Sequence, residues 1–217
     1  MSSSSLNKWP ITQTQSFAFW WEAPGQWVEP PNIRRGGWSG VLRCRWQNRA
    51  VYLKRQHQHF CREWLHPLGW PTLCREYRNL LTLQKLGIHC PAPVYFAREG
   101  AAAVLVVEAL DGFVALDQLH LEAGPQREQL ALNLGRCLGH MHRHHLQHGC
   151  LYAKHIFVRQ SAEAWQIALI DLEKMRWRPA AKKSAQHDLN QLQRHQSLLD
   201  AGDWEKMLQA HQQSFTA

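Results

Sequence analysis

A chain of 217 residues with 45% hydrophobic side chains and eleven tryptophans has apolar material for one domain or two small lobes, which excludes a disordered chain. Its formal charge of +8 favours anionic partners, whether nucleic acid, a phosphorylated glycolipid or a phosphate-bearing cofactor. The six cysteines form no CxxC pair, the serine-rich start lacks an apolar signal core, and no run nears the roughly 18 apolar residues of a membrane span, so the sequence reads as a reduced, cytoplasmic protein.

Residues 1–16, rich in Ser, Thr and Gln, read as a flexible N-terminus. Phe17–Trp27 gathers aromatics into an opening element that Pro24-Gly25 interrupts and Pro30-Pro31 ends. Arg34-Arg35-Gly36-Gly37-Trp38-Ser39-Gly40-Val41 then leads into a strand over Leu42–Trp46, a turn at Gln47-Asn48-Arg49 and a strand over Ala50–Lys54. This is a glycine-bearing hairpin that ends on a lysine, and by itself the glycine pair reads only as a tight turn. Residues 55–70, with His57, His59, Phe60, Arg62, Trp64, His66 and Trp70, read as a basic aromatic connector without regular structure, whose histidines lack the spacing of a metal site. Pro71-Thr72 opens a helix with Leu73, Tyr77, Leu80, Leu81 and Leu83 at helical spacing, closed by Gly87, with Glu76 beside the apolar stripe. Pro91–Phe96 and Ala101–Glu108 add two strands, for a five-stranded antiparallel sheet with one helix. Glu108-Ala109-Leu110-Asp111-Gly112 then reads equally as a plain loop or an interlobe hinge.

In the second half, Leu130, Leu132, Leu134, Cys137, Leu138, Met141 and Leu146 describe a long buried helix over 126–146. The histidines at 140, 142, 144, 145 and 148 include i, i+4 pairs that would suit a metal, although a structural role for each is the simpler reading. The polar turn His148-Gly149-Cys150-Leu151-Tyr152-Ala153-Lys154-His155 runs into the apolar Ile156–Val158, and a second apolar run, Ala168-Leu169-Ile170, ends in Asp171-Leu172-Glu173. Two short strands therefore bring His148–His155 and Asp171 to neighbouring ends. Lys174, Arg176, Arg178, Lys182 and Lys183 form a basic segment before an amphipathic helix that starts at Asp188, and residues 203–215 form a closing helix.

The order of these stretches resembles the protein-kinase-like superfamily, and within it the lipopolysaccharide kinase (Kdo/WaaP) family and its InaA-like members, whose loop reads His-x-Asp-x-Tyr-x-x-His and whose second motif reads Ile-Asp-Leu. Here the lines are His148-Gly149-Cys150-Leu151-Tyr152-Ala153-Lys154-His155 and Ile170-Asp171-Leu172. The resemblance runs from about Gly36 to about Gln193. It implies an α+β, two-lobed fold, with an antiparallel sheet and one helix over 17–110 and a reduced, mainly helical lobe over 111–217. It also implies ATP and Mg2+ as cofactors.

On that resemblance, Gly36, Gly37 and Gly40 let the backbone approach phosphates, and Lys54 reaches them while paired to Glu76. Glu108 and Leu110 read an adenine edge through their backbone, and Asp171 holds Mg2+, with His155 in the place of an asparagine. Asp188 anchors the catalytic loop of His148, or is a simple helix N-terminal carboxylate. The departure is Cys150, which stands where the catalytic aspartate should be, so the residues singled out for catalysis are Cys150, His148, Lys54 and Asp171. Three functions follow: an ATP-dependent kinase of a lipopolysaccharide core sugar, a pseudokinase that binds nucleotide as a regulator, and a nucleic-acid binder. Only charge favours the last. The glycolipid, or another anionic glycan, would meet Lys174, Arg176 and Arg178, which leaves room for peripheral contact with the cytoplasmic face of the inner membrane.

Overall fold

The computed structural model describes residues 15–34, 36–63, 66–162 and 164–217, so the N-terminal stretch up to Thr14, Arg35 and Trp64 lie outside the described residues. Contacts divide the chain into two compact units: residues up to Tyr77 with Ala92–Ala109, and Arg78–Pro91 with Leu110–Ala217. No helix among the described residues is long and apolar enough to cross a membrane.

The first unit opens on α1 (Phe17–Glu22), where the Ser16 hydroxyl accepts the Phe19 N–H at 3.1 Å and Trp20 is buried. Its sheet comprises β1 (Gln26–Trp27), β2 (Asn32–Arg34), β3 (Gly37–Trp46), β4 (Arg49–His57), β7 (Pro93–Glu99) and β8 (Ala102–Glu108), in the order β1-β3-β4-β8-β7 with β2 beside β3. All pairs are antiparallel. The period of two sends Leu42, Val51, Leu53, Val104 and Val106 to one face, where they form a core with Trp20 and Tyr95. Six strands replace the five expected, because β1 and β2 add short edges.

The connector read over 55–70 is also corrected. β4 continues to His57, and Phe60–Glu63 (β5) pairs with His66–Pro71 (β6) in a separate hairpin. Pro67, Gly69 and Pro71 hid this strand, but a two-stranded hairpin tolerates proline because no third strand needs its N–H. Buried Gln56 starts α2 (Thr72–Lys85): its side-chain oxygen accepts from the Thr72 hydroxyl at 2.7 Å and the Leu73 N–H at 2.9 Å.

The second unit is built around α3 (Pro125–Arg143) and α5 (Ala201–Thr216). A Cβ on Gly135 would lie 2.2 Å from the Met207 carbonyl, and one on Gly139 2.3 Å from that of His211, so only glycine permits this backbone approach. Arg127 of α3 ties Asp203 and the N-cap Asp200 of α5. Against this pair lie β9 (Val114–Ala115), β11 (Ile156–Gln160) and β12 (Trp165–Leu169) as one sheet, and β10 (Leu146–Gln147) with β13 (Arg176–Trp177) as another. Two boundaries differ from expectation. α3 stops at Arg143, because His145 adopts φ +61°, and α4 (Ala181–Arg194) begins seven residues before Asp188. Asp188 is thus mid-helix and buried, which removes its reading as a helix N-terminal carboxylate.

Candidate active site

In the first unit, β4 and α2 bring Lys54 and Glu76 together. The Lys54 ammonium donates to Glu76 Oε1, with the carboxylate side chain 5% exposed and the lysine 20%. A buried carboxylate needs such a partner, and the pair fixes the lysine side chain in one extended conformation. The glycines play different parts. Gly36 is an exposed turn residue at φ +78°. Gly37 backs onto the Gln58 carbonyl and Gly40 lies under the Trp27 ring, so both lack a side chain for reasons of packing. At the end of β8, the Glu108 N–H donates to the Ala92 carbonyl at 2.9 Å and the Ala109 N–H to that of Ala50 at 3.0 Å, while the Glu108 carboxylate pairs with Arg49 at 3.0 Å. The Glu108 N–H is therefore already committed. In the second unit, the Leu110 carbonyl accepts from the Phe113 N–H at 3.1 Å.

The second unit assembles the remaining candidates around the His148 loop. Asp188 accepts the backbone N–H of His148 at 2.6 Å and of Gly149 at 3.0 Å, and its oxygens also meet His142 Nε2 at 3.3 Å and His187 Nδ1 at 3.2 Å. Burial would raise its carboxyl, but hydrogen bonding and charge from His142, with the Gly149 N–H, hold it below the usual carboxylate range. His142 Nδ1 in turn lies 2.8 Å from His211 Nε2 on α5, and burial, then His142, pushes His211 down to about 4. The His148 ring is fully buried. Nε2 donates to the Ile170 carbonyl at 3.0 Å and Nδ1 accepts the Cys150 N–H at 3.3 Å, a neutral tautomer in keeping with a pKa lowered by burial. Gly149 needs its φ of +77°, and Lys174 closes the space beside it.

Asp171 sits at φ +58°, ψ +54°, a left-handed conformation that costs a non-glycine residue about 1 kcal/mol and is tolerated where the surroundings impose it. Asn79 supports the turn that follows, donating to the Leu172 and Met175 carbonyls at 2.8 Å. His155 Nδ1 donates to the Cys150 carbonyl at 2.8 Å, so in the neutral ring Nε2 carries the lone pair, and it lies 3.4 Å from Asp171 Oδ2. One oxygen and one nitrogen thus converge with the tautomer already set. The Asp171 oxygen fits a Mg2+ ion that takes its remaining ligands from phosphate oxygens and water, whereas the imidazole nitrogen is a poorer donor for so hard an ion. Among the described residues no group of three or more His, Cys, Asp or Glu forms a cage of its own.

Cys150 is 6% exposed, and the exposed Lys174 is near enough to act on its thiol. Burial pushes the thiol up despite the pull of Lys174, so it is protonated near pH 7, while the same contact raises Lys174. Lys174, expected at an acceptor surface, is exposed and also lies beside the loop. Arg176 and Arg178 are not on a free loop either: β13 pairs with β10, and Arg178 bonds the His145 carbonyl through its N–H at 2.8 Å and Gln147 through its guanidinium at 3.0 Å. Sequence reasoning missed Gln191, which accepts the Leu151 N–H at 2.6 Å, and His211, because their sequence distances of 40 and 69 residues from their partners left no local signal.

The profile of the Lipopolysaccharide kinase (Kdo/WaaP) family matches residues 18–211. Protein InaA of Escherichia coli (strain K12) is 31% identical over 201 residues, covering 88% of this chain and 93% of InaA. Among solved structures, WaaP in complex with acyl carrier protein is similar with a TM-score of 0.69 at 20% identity, over 91% of this chain and 82% of that one. An aminoglycoside-3'-phosphotransferase of type VIII gives 0.55 at 18% identity, over 89% and 86% of the two chains. The Rio2 kinase of Chaetomium thermophilum, in its ADP/Mg2+-phosphoaspartate complex, gives 0.54 at 14%, over 85% and 61%. These likenesses show an α+β, kinase-like fold, and the profile and InaA, each matching most of the chain, show the family: the chain belongs to the lipopolysaccharide kinase (Kdo/WaaP) family.

Proposed function

We propose that the protein binds Mg2+-ATP and transfers its γ-phosphoryl group to a sugar hydroxyl of an anionic glycan, lipopolysaccharide core in the setting of its family, at the cytoplasmic face of the inner membrane. The observation that carries this reading is the Lys54–Glu76 pair, which holds a cation extended at the place where the family fold meets phosphates. Asp171 and His155 would hold Mg2+, and Asp188 and His148 fix the loop between them. Bound Mg2+-ATP supplies the phosphoryl group and neutralises the charge that develops on it. Such a transfer relies on positioning and electrostatics, so it proceeds without a strong base. The protonated Cys150 thiol takes no proton from the acceptor, which then loses it to phosphate oxygen or water.

The same thiol favours a second reading, a nucleotide-binding regulator with little turnover, because a carboxylate that orients the acceptor is absent from a loop otherwise kept in place. Calorimetric titration with Mg2+-ATP, followed by transfer assays on lipopolysaccharide core fragments, separates the two. Binding with transfer supports the kinase, and binding without transfer supports the regulator. No binding at millimolar nucleotide removes both.

A further inference from the structure

The closing helix reaches the candidate site through a buried histidine. On α3, Gly135, Gly139 and His142 are spaced to share one face. The backbone of α5 at His211 lies against the two glycines: a Cβ on Gly135 would stand 3.0 Å from the His211 nitrogen, and one on Gly139 2.3 Å from its carbonyl oxygen. The glycines thereby seat His211 beside His142, and the two rings meet with His142 Nδ1 2.8 Å from His211 Nε2. His142 is fully buried and His211 is 5% exposed. Phe215 stacks on the His211 ring with centroids 5.8 Å apart, which steadies its plane.

A chain of hydrogen bonds continues from this contact to the loop. His142 Nε2 lies 3.3 Å from Asp188 Oδ2, and that same oxygen accepts the His148 N–H at 2.6 Å, while Oδ1 accepts the Gly149 N–H at 3.0 Å. Asp188 is held as a carboxylate, which only accepts, so His142 Nε2 carries a proton. His211 is neutral near pH 7, because burial and then His142 lower it to about 4, and a neutral imidazole can give or take the proton at its contact with His142. Either way, His211 is the partner that satisfies buried His142 Nδ1. Without it the His142 ring is no longer held to one orientation and one tautomer, and each alternative takes a donor from Asp188 Oδ2. We propose that His211 is a positioning residue for the proposed phosphoryl transfer: through His142 and Asp188 it holds the His148–Gly149 backbone, and with it the loop that carries Cys150 and His155, in the geometry of reaction. This role deepens the proposed function and rests on that reading for its kinetic consequence.

The test compares His211→Phe, which keeps a ring of similar size but no polar atom, with His211→Gln, whose amide can give or take the hydrogen bond of Nε2. Hydrogen exchange at the His148 and Gly149 amides should quicken by about tenfold in the Phe variant, the scale of one lost hydrogen bond, and stay near the wild-type rate in the Gln variant. In transfer assays with Mg2+-ATP and lipopolysaccharide core fragments, kcat should fall by about tenfold in His211→Phe with KM for Mg2+-ATP unchanged, and His211→Gln should recover most of it. A packing role alone would reverse this order, since phenylalanine fills an apolar site better than glutamine. That reversal, equal effects of the two variants, or loop amides unchanged in His211→Phe would overturn the proposal. The wild type supplies a check without any substitution: the nitrogen NMR spectrum of isotope-labelled histidine should show a proton on His142 Nε2, and a lone pair there would overturn the relay. Absence of transfer by the wild type, with the amide pattern as expected, would sink the proposed transfer but leave His211 as the residue that positions the loop.

Discussion

The two units treat charge in opposite ways at their candidate sites. In the first, a lysine meets a carboxylate: Glu76 is buried and pairs with the ammonium of Lys54. In the second, the loop that should present a carboxylate presents a protonated thiol, with the cation Lys174 nearby. The framework around that thiol is nonetheless complete, with Asp188 on two loop amides, His148 on the Ile170 carbonyl and His155 on the Cys150 carbonyl. Groups suited to gripping phosphates and groups suited to activating an acceptor therefore sit on different elements, and one set can change while the other stays. Two kinds of experiment address this contrast: those that break the framework of one unit, and those that restore the group that the other lacks.

The largest effect is expected in the second unit alone. His211 is held down to about 4 by burial and by His142, against about 6.5 when unfolded. Its neutral ring therefore contributes stability that is fully present above pH 6.5 and is lost as pH falls toward 4, in total about 3 kcal/mol. Urea unfolding between pH 7 and 4 should show this loss, and His211→Phe should flatten the profile; an unchanged slope would mean that the His211–His142–Asp188 chain is not what acid breaks. Next in size, Lys54→Met and Asp171→Ala should each weaken Mg2+-ATP binding by about 100-fold, the scale of a lost charge-assisted contact at a phosphate or metal. Lys54→Met also takes a partner from buried Glu76, so Lys54→Met with Glu76→Gln is the control that separates lost grip from lost stability. If the first unit's variants bind nucleotide like the wild type, the contrast between a gripping and an activating half fails.

Cys150→Asp restores the missing carboxylate. Lys174 lies near enough to offset the new charge, so the fold should accept the change. Phosphoryl transfer or basal ATP hydrolysis should rise by about tenfold to a hundredfold, at the low end of what general-base catalysis provides. A lower rate than wild type would mean that the thiol is adapted to its position. No turnover in either protein, with binding intact, would leave the regulator.

What was legible in the sequence was local or ordered. Leu42, Val51 and Leu53 alternate as a half-buried sheet must, and Lys54 and Glu76 could be matched because the helix follows the strand at kinase-like distance. The Ile170-Asp171-Leu172 line stood out by its place at a strand end, although nothing in it foretold the left-handed backbone at Asp171. What could not be read was long-range or masked by proline and glycine. The β5–β6 hairpin looked like a connector because Pro67 and Gly69 argue against a strand wherever a ladder needs every N–H. His211 carried no signal, since its partner lies 69 residues away and becomes adjacent only when Gly135 and Gly139 let α3 and α5 touch.

The smallest effect concerns the acceptor. Of the three residues read as its contacts, Lys174 lies beside Cys150 and Arg178 bonds Gln147, while the Arg176 and Trp177 side chains are exposed, with the Trp177 ring 61% exposed and stacked on His145. An indole face beside guanidinium groups suits a phosphorylated sugar, whose ring stacks while its phosphates take forked hydrogen bonds. Exposed contacts are screened, so Arg176→Glu should weaken binding to lipopolysaccharide core fragments by only about threefold to tenfold at low salt, with the difference shrinking as salt rises. Arg178→Glu should add a modest loss of melting temperature, because it also breaks the bond to Gln147. Mg2+-ATP affinity should stay within about twofold in both, since neither arginine is among the proposed nucleotide contacts Lys54, Asp171 and His155. Equal loss of nucleotide and glycan would show that the β10–β13 segment only supports the fold, and an unchanged glycan affinity would move the acceptor contact away from Arg176.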